Sequence, residues 1–302
     1  FCMRICSFLG GKLFSSRNTV PESVAGPQFS FNFTKRTNLK GELFMKEKSS
    51  TWRPIISSLM LGMVLAILVT IASAVSIINK FSSIGVMLTQ AGAFLIMAVI
   101  LTFYMTTKGK TLGMFGFKKF EISKSREVLY YIPLLIIALV QPVIGGINMK
   151  LSILEVIVIL LFTLIVGYTE ETLFRGVIKE KLQSKGTTFY IIFSSVFFGM
   201  LHIANALNGD NLSVAIIQVI NASLVGIILA ELITLKDNIV PLIAYHCMYD
   251  ALAKIVSPAA SSKELLIISV LAVFYVLYAV YLLGILKKRN VRLKQEHEQI
   301  CL

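Results

Sequence analysis

The stretch LFTLIVGYTEETLFRGVI, Leu161–Ile178, starts as an unbroken apolar run and then sets Glu170, Glu171 and Arg175 within six residues. An ionisable side chain at the centre of a bilayer costs about 2.5–3.5 kcal/mol on insertion scales, so such groups are seldom idle. Composition puts the run in a bilayer. Of 302 residues, 56% are hydrophobic and 15% charged, against about 25% charged in soluble domains. Mean hydropathy is +0.79. Repeated apolar runs of roughly 20 residues match the hydrocarbon core and predict an all-α fold, a polytopic membrane helical bundle.

About eight transmembrane helices are expected, over Ile55–Ile78, Ser83–Met105, Val128–Ile144, Ser152–Tyr168, Thr187–Ala204, Leu212–Leu235, Ile239–Val256 and Leu265–Leu286. The fourth is expected to continue as an amphipathic helix to about Gln183. The chain then divides into residues 1–44, a disordered or non-native extension; 45–127, two spans and a basic loop; 128–256, the segment holding the polar motifs; and 257–302, a last span and basic tail. For 1–44 an acid-poor organellar targeting segment is the rival reading. Cys2, Cys6, Cys247 and Cys301 form no disulfide-like or metal-like spacing. The terminal QICL is not a prenylation box, because its cysteine is second from the end.

A net charge of +13 invites a nucleic-acid reading until the cations are located. They gather at span ends: Lys46, Lys48 and Arg53; Lys108, Lys110, Lys118, Lys119, Lys124 and Arg126; Lys179, Lys181 and Lys185; Lys287, Lys288, Arg289 and Arg292. Alternate loops are basic and those between them nearly neutral. The positive-inside rule therefore predicts a multi-pass cell-membrane protein with both termini cytoplasmic. Its expected partner is the lipid bilayer, with no nucleic acid.

Helical spacing sorts the polar residues. Glu171 and Arg175 lie one turn apart and can pair on one face, whereas Glu170 is rotated about 100° and can face the bundle interior. Phe198 and His202 are one turn apart, as are His246 and Asp250. The third histidine, His297, lies in the charged tail. The fourth and fifth spans form a hairpin turning near Ser184–Gly186, with Glu170 sixteen residues before Gly186 and His202 sixteen after it. Equal distances along antiparallel helices put the two side chains at similar depth. His246 lies only about 12 Å along its own span and the hairpin pair about 24 Å from its turn, at 1.5 Å per residue. Agreement in depth requires the hairpin tip, KEKLQSKG, to project beyond the membrane. Gln218 and Asn221 read as packing hydrogen bonds, Glu155 as a solvated residue near the outer surface, and Cys247 as an apolar filler. Glu231 has no assigned part.

Taken in order, EETLFR (EExxxR), FGMLH (FxxxH) and HCMYD (HxxxN/D), each on a separate apolar helix, resemble the CPBP family. These are the CAAX proteases and bacteriocin-processing enzymes, also called Abi. The resemblance covers roughly Val156–Ala253, and LGMFGFKK at Leu112–Lys119 is similar to the loop that often precedes it. It implies an intramembrane endopeptidase with a CPBP/Abi catalytic core in which Glu170 and His202 polarise a water. His246 and the residue at Asp250 would stabilise the oxyanion, and Glu171, Arg175 and Phe198 would support the site. Where the best-known eukaryotic members carry asparagine, this chain has Asp250. An ionised aspartate cannot donate to an oxyanion, so an orienting role toward His246 is expected instead.

The family implies no cofactor; zinc held by a glutamate and two histidines is the alternative. Two non-hydrolytic readings compete. One is a bacteriocin-immunity or interaction factor of the same fold. The other is a transporter, disfavoured because no inverted halves or Gly/Pro-broken span pairs are visible. Expected substrates are membrane-associated peptides, such as bacteriocin or signalling-peptide precursors, or membrane-protein tails.

Overall fold

The computed structural model describes residues 52–107, 109–119, 128–204 and 212–300. The expected 1–44 extension, Cys2, Cys6, Cys301, the side chain of His297 and part of the basic loop lie outside the described residues. Those described form helices α1 (Arg53–Ile78), α2 (Ser83–Thr106), α3 (Ile132–Gly145), α4 (Ile153–Glu171), α5 (Ile178–Leu182), α6 (Thr187–Leu201), α7 (Leu212–Lys236), α8 (Val240–Lys254) and α9 (Glu264–Ile300). No β-strand occurs among them. The protein is an all-α, polytopic bundle.

Five stretches are long and apolar enough to cross a membrane: Arg53–Ile78, Ser83–Thr106, Ile153–Lys185, Leu212–Lys236 and Pro258–Arg292. The other three expected spans exist as shorter helices, α3 of 14 residues and α6 and α8 of 15 each. Fifteen residues rise only about 22 Å, less than the ~30 Å hydrocarbon core. Local sequence explains the short lengths. Pro133 and Pro241 sit in the first turns of α3 and α8, where a missing N–H costs nothing. Pro142 and Gly146 close α3.

The fourth span continues as one helical stretch of 33 residues, Ile153–Lys185, on the order of 50 Å long. That length exceeds the ~30 Å hydrocarbon core. Ser152 and Glu155 start it with reciprocal side-chain-to-backbone hydrogen bonds, so Glu155 caps the helix. The chain reverses at Gly186 into α6.

Close helix contacts hold the core. α6 lies along α7, and α8 along α4. A Cβ on Gly199 would stand 2.0 Å from Ser223 Oγ and 2.6 Å from the Val219 carbonyl oxygen; one on Gly167 would stand 3.1 Å from the Cys247 nitrogen. Without lipid-phase hydrophobic drive, such backbone approach supplies the packing. Tyr168 and Thr102 share a hydrogen bond of 2.6 Å, and Thr169 donates to the Phe94 carbonyl at 3.1 Å, tying α4 to α2.

The two ends of the bundle differ. At one, the Ile239 N–H donates to the Gly116 carbonyl at 2.8 Å, Lys118 and Lys179 both pair with Asp237, and Arg289 donates to the Thr234 carbonyl at 3.1 Å. The LGMFGFKK segment thereby docks onto the α7–α8 turn. At the other end, Asn148 N–H donates to the Ile255 carbonyl at 2.8 Å and Ser257 N–H to Gly146 at 3.0 Å, joining the α3–α4 and α8–α9 turns.

Candidate active site

Glu171 and Arg175 meet as the spacing requires, Nη1 to Oε1 at 3.2 Å with both side chains wholly buried. The helix between them is not regular. Thr172–Val177 forms a π-helical turn, in which the Ile178 N–H donates to Leu173, five residues back. Widened turns of this kind recur at functional sites. Here the turn carries Arg175 over to α7, where a second guanidinium nitrogen donates to the Gly226 carbonyl at 3.4 Å.

Glu171 has a further partner that spacing could not reveal. His246 Nδ1 lies 2.7 Å from its Oε1, so one carboxylate oxygen serves both Arg175 and His246. The bare backbone of Gly167 makes this reach possible, because α8 packs on α4 at that residue, with Cys247 nitrogen and His246 Cβ its near neighbours. Asp250, expected to orient His246, lies 3.5 Å from the opposite nitrogen, Nε2. Glu170 Oε2 is also 3.5 Å from Nε2. Two carboxylates from different helices thus flank one imidazole edge, each just beyond a strong hydrogen bond.

Phe198 spaces the assembly. Its ring stands edge-to-face with His202 at 5.4 Å and His246 at 6.2 Å between centroids. The Arg175 guanidinium lies 4.6 Å from its centroid, close enough for a cation–π contact. His202 follows the last residue of α6, its N–H bonded to the Gly199 carbonyl at 3.0 Å. Glu170, His202, His246 and Asp250 all line one cavity of about 470 Å³, within the range of ligand-binding clefts. Phe198 also lines it, whereas Glu171 and Arg175 stand behind the wall.

Some lining residues carried no assignment from sequence. Gln90, Gln141, Lys254, Tyr245, Tyr249 and Tyr275 contribute side chains, and Gln218 and Asn221, read as packing residues, do so too. Tyr275 donates to the Tyr249 hydroxyl at 2.9 Å, while the buried Tyr245 hydroxyl makes no hydrogen bond among the described residues. Tyr245 and Tyr249 could have been found, since they directly precede His246 and Asp250 on α8; Tyr275 on α9 gives no such signal. Glu231 is buried on α7, has an unpaired Oε2 and lies outside the cavity lining. Among the described residues, no group of three or more His, Cys, Asp or Glu side chains is arranged to hold a metal ion.

Residues 152–252 match the family model described as type II CAAX prenyl endopeptidase, Rce1-like. All three polar motifs fall in the matched segment, and the match is consistent with the CPBP family. Comparison with curated proteins and with solved structures gave no match.

Proposed function

We propose that this chain is a membrane endopeptidase that hydrolyses peptide bonds with a water activated by Glu170, without a metal, in a cell membrane with both termini on the cytoplasmic face. The family match supports a CAAX-type intramembrane protease. The glutamate mechanism has one principal support: Glu170, Asp250 and the Glu171-held His246 converge at the lining of one cavity.

The chemistry follows from the partners. The Glu170 carboxylate takes a proton from water as the oxygen attacks the carbonyl carbon, with His202 orienting that water. The developing oxyanion is met by Nε2–H of the His246 imidazolium, while Nδ1–H remains on Glu171. Asp250 balances that charge from the far side of Nε2. As the C–N bond breaks, the proton held by Glu170 passes to the leaving amine, restoring the carboxylate.

Quantitative peptidomics of cells making the wild type or Glu170→Gln tests this. The variant is expected to insert and accumulate normally while its cleavage products disappear, and products of the wild type are expected to persist in a chelator. Full biological activity in Glu170→Gln would transfer the assignment to a non-catalytic immunity or interaction factor. Loss in chelator with recovery on zinc would make it a metalloenzyme.

A further inference from the structure

The side from which a peptide reaches Glu170 can be read from where the cavity lies along the bundle. One end of the bundle carries Lys110, Lys118, Lys179, Lys181, Lys236 and Lys288; the α1–α2, α3–α4 and α8–α9 turns at the other carry only Lys80, Lys150 and Lys263 as their cations. The cavity lining reaches that second end. It includes Gln141 near the close of α3, Ala204 just beyond α6, Lys254 at the last position of α8, and Gln90 and Gln218 in the early turns of α2 and α7, which both begin there.

Toward the lysine-rich end the lining stops at Phe174, Leu229 and Tyr245. Beyond those residues the bundle is solid. Phe115, Val177, Ile178, Leu182, Ile233 and Ile239 are each no more than 1% exposed. The Gly116–Ile239 hydrogen bond and the Asp237 lysine pairs close that end over them. The positive-inside rule assigns the lysine-rich end to the cytoplasm. We propose that the scissile peptide enters from the non-cytoplasmic face. The substrate class is then exported peptides, or membrane-protein segments displayed on that face, rather than cytoplasmic tails. The amide of Gln141 suits such a role, because it offers both donor and acceptor groups to an extended backbone.

This inference takes the endopeptidase reading as given, but its test does not depend on hydrolysis. Single cysteines are placed in a full-length chain lacking the four native ones: Gln141→Cys in the cavity, Lys150→Cys on the turn beside it, and Lys288→Cys at the lysine-rich end. Intact cells are treated with a membrane-impermeant maleimide, and denatured samples show that each cysteine is present. The expected result is labelling of Gln141→Cys and Lys150→Cys, with Lys288→Cys labelled only after permeabilisation. Protection of Lys150→Cys overturns the orientation. Labelling of Lys150→Cys alongside protection of Gln141→Cys overturns entry from that face. Either failure leaves the Glu170 chemistry standing, whereas persistent cleavage in Glu170→Gln would remove the chemistry and leave the labelling pattern unaltered.

Discussion

Two charge clusters, built from similar residues, differ sharply in burial. In the first, Glu171 bridges Arg175 and His246, with Glu171 and Arg175 wholly buried. In the second, Asp237 bridges Lys118 and Lys179 at the lysine-rich end, with its side chain 46% exposed. Environment separates their uses. In the buried cluster each charge has lost its water, so every partner is obligatory and geometry is held tightly. In the surface cluster water competes for each group, and the pairs serve mainly to seat the Leu112–Lys119 segment against the α7–α8 turn. Precision at the cavity wall therefore comes from desolvation, not from the number of ion pairs.

Removing one buried partner gives the largest expected effect. Arg175→Ala strands the Glu171 carboxylate beside His246 and takes the guanidinium from the Phe198 face. Loss of one member of a buried pair typically costs about 3–5 kcal/mol, so the variant should accumulate poorly and unfold at markedly lower temperature in detergent. A thermal midpoint as high as that of an Asp237 variant would erase the distinction between the clusters.

The buried cluster also depends on helix approach, which distinguishes it from its surface counterpart. A β-branched side chain at Gly199 meets the Val219 carbonyl as well as Ser223 Oγ, and a backbone oxygen cannot rotate away. Gly199→Val should force α6 from α7, the helix whose Gly226 carbonyl accepts from Arg175. Overpacking of this kind costs about 1–3 kcal/mol. Unfolding measured in detergent should show a smaller loss than for Arg175→Ala, with cleavage impaired through the displaced His202. Truncating Ser223 to alanine should give only partial rescue, and complete rescue would place the strain in that side chain alone.

The same contrast explains what could be read from the sequence. The helices, the hairpin turn at Gly186 and the Glu171–Arg175 pair follow from apolar run length and one-turn spacing, which are local properties. The Glu171–His246 bond joins residues 75 apart and depends on how α8 settles against Gly167, so spacing on either helix says nothing about it. The π turn at Thr172–Val177 was equally hidden, because it alters backbone bonding while leaving the residue pattern helical. The three short helices read as full spans because their apolar flanks continue past the residues that end them.

The smallest effect belongs to the surface cluster and is set by pH. Burial pushes the Asp237 carboxyl up, but the hydrogen bonds and charges of Lys118 and Lys179 outweigh it and hold the group below its ordinary value of 3.8. A carboxylate whose folded value is depressed stabilises the fold above its unfolded value, and that contribution fades as pH falls through the folded one. Asp237→Asn removes the titration and weakens both lysine pairs. With the side chain nearly half exposed, the loss at neutral pH should be within about 1 kcal/mol. Midpoints for wild type and variant in detergent should differ slightly at pH 7 and converge below pH 3.8. A gap that persists or widens in acid would mean that Asp237 does not act through its charge.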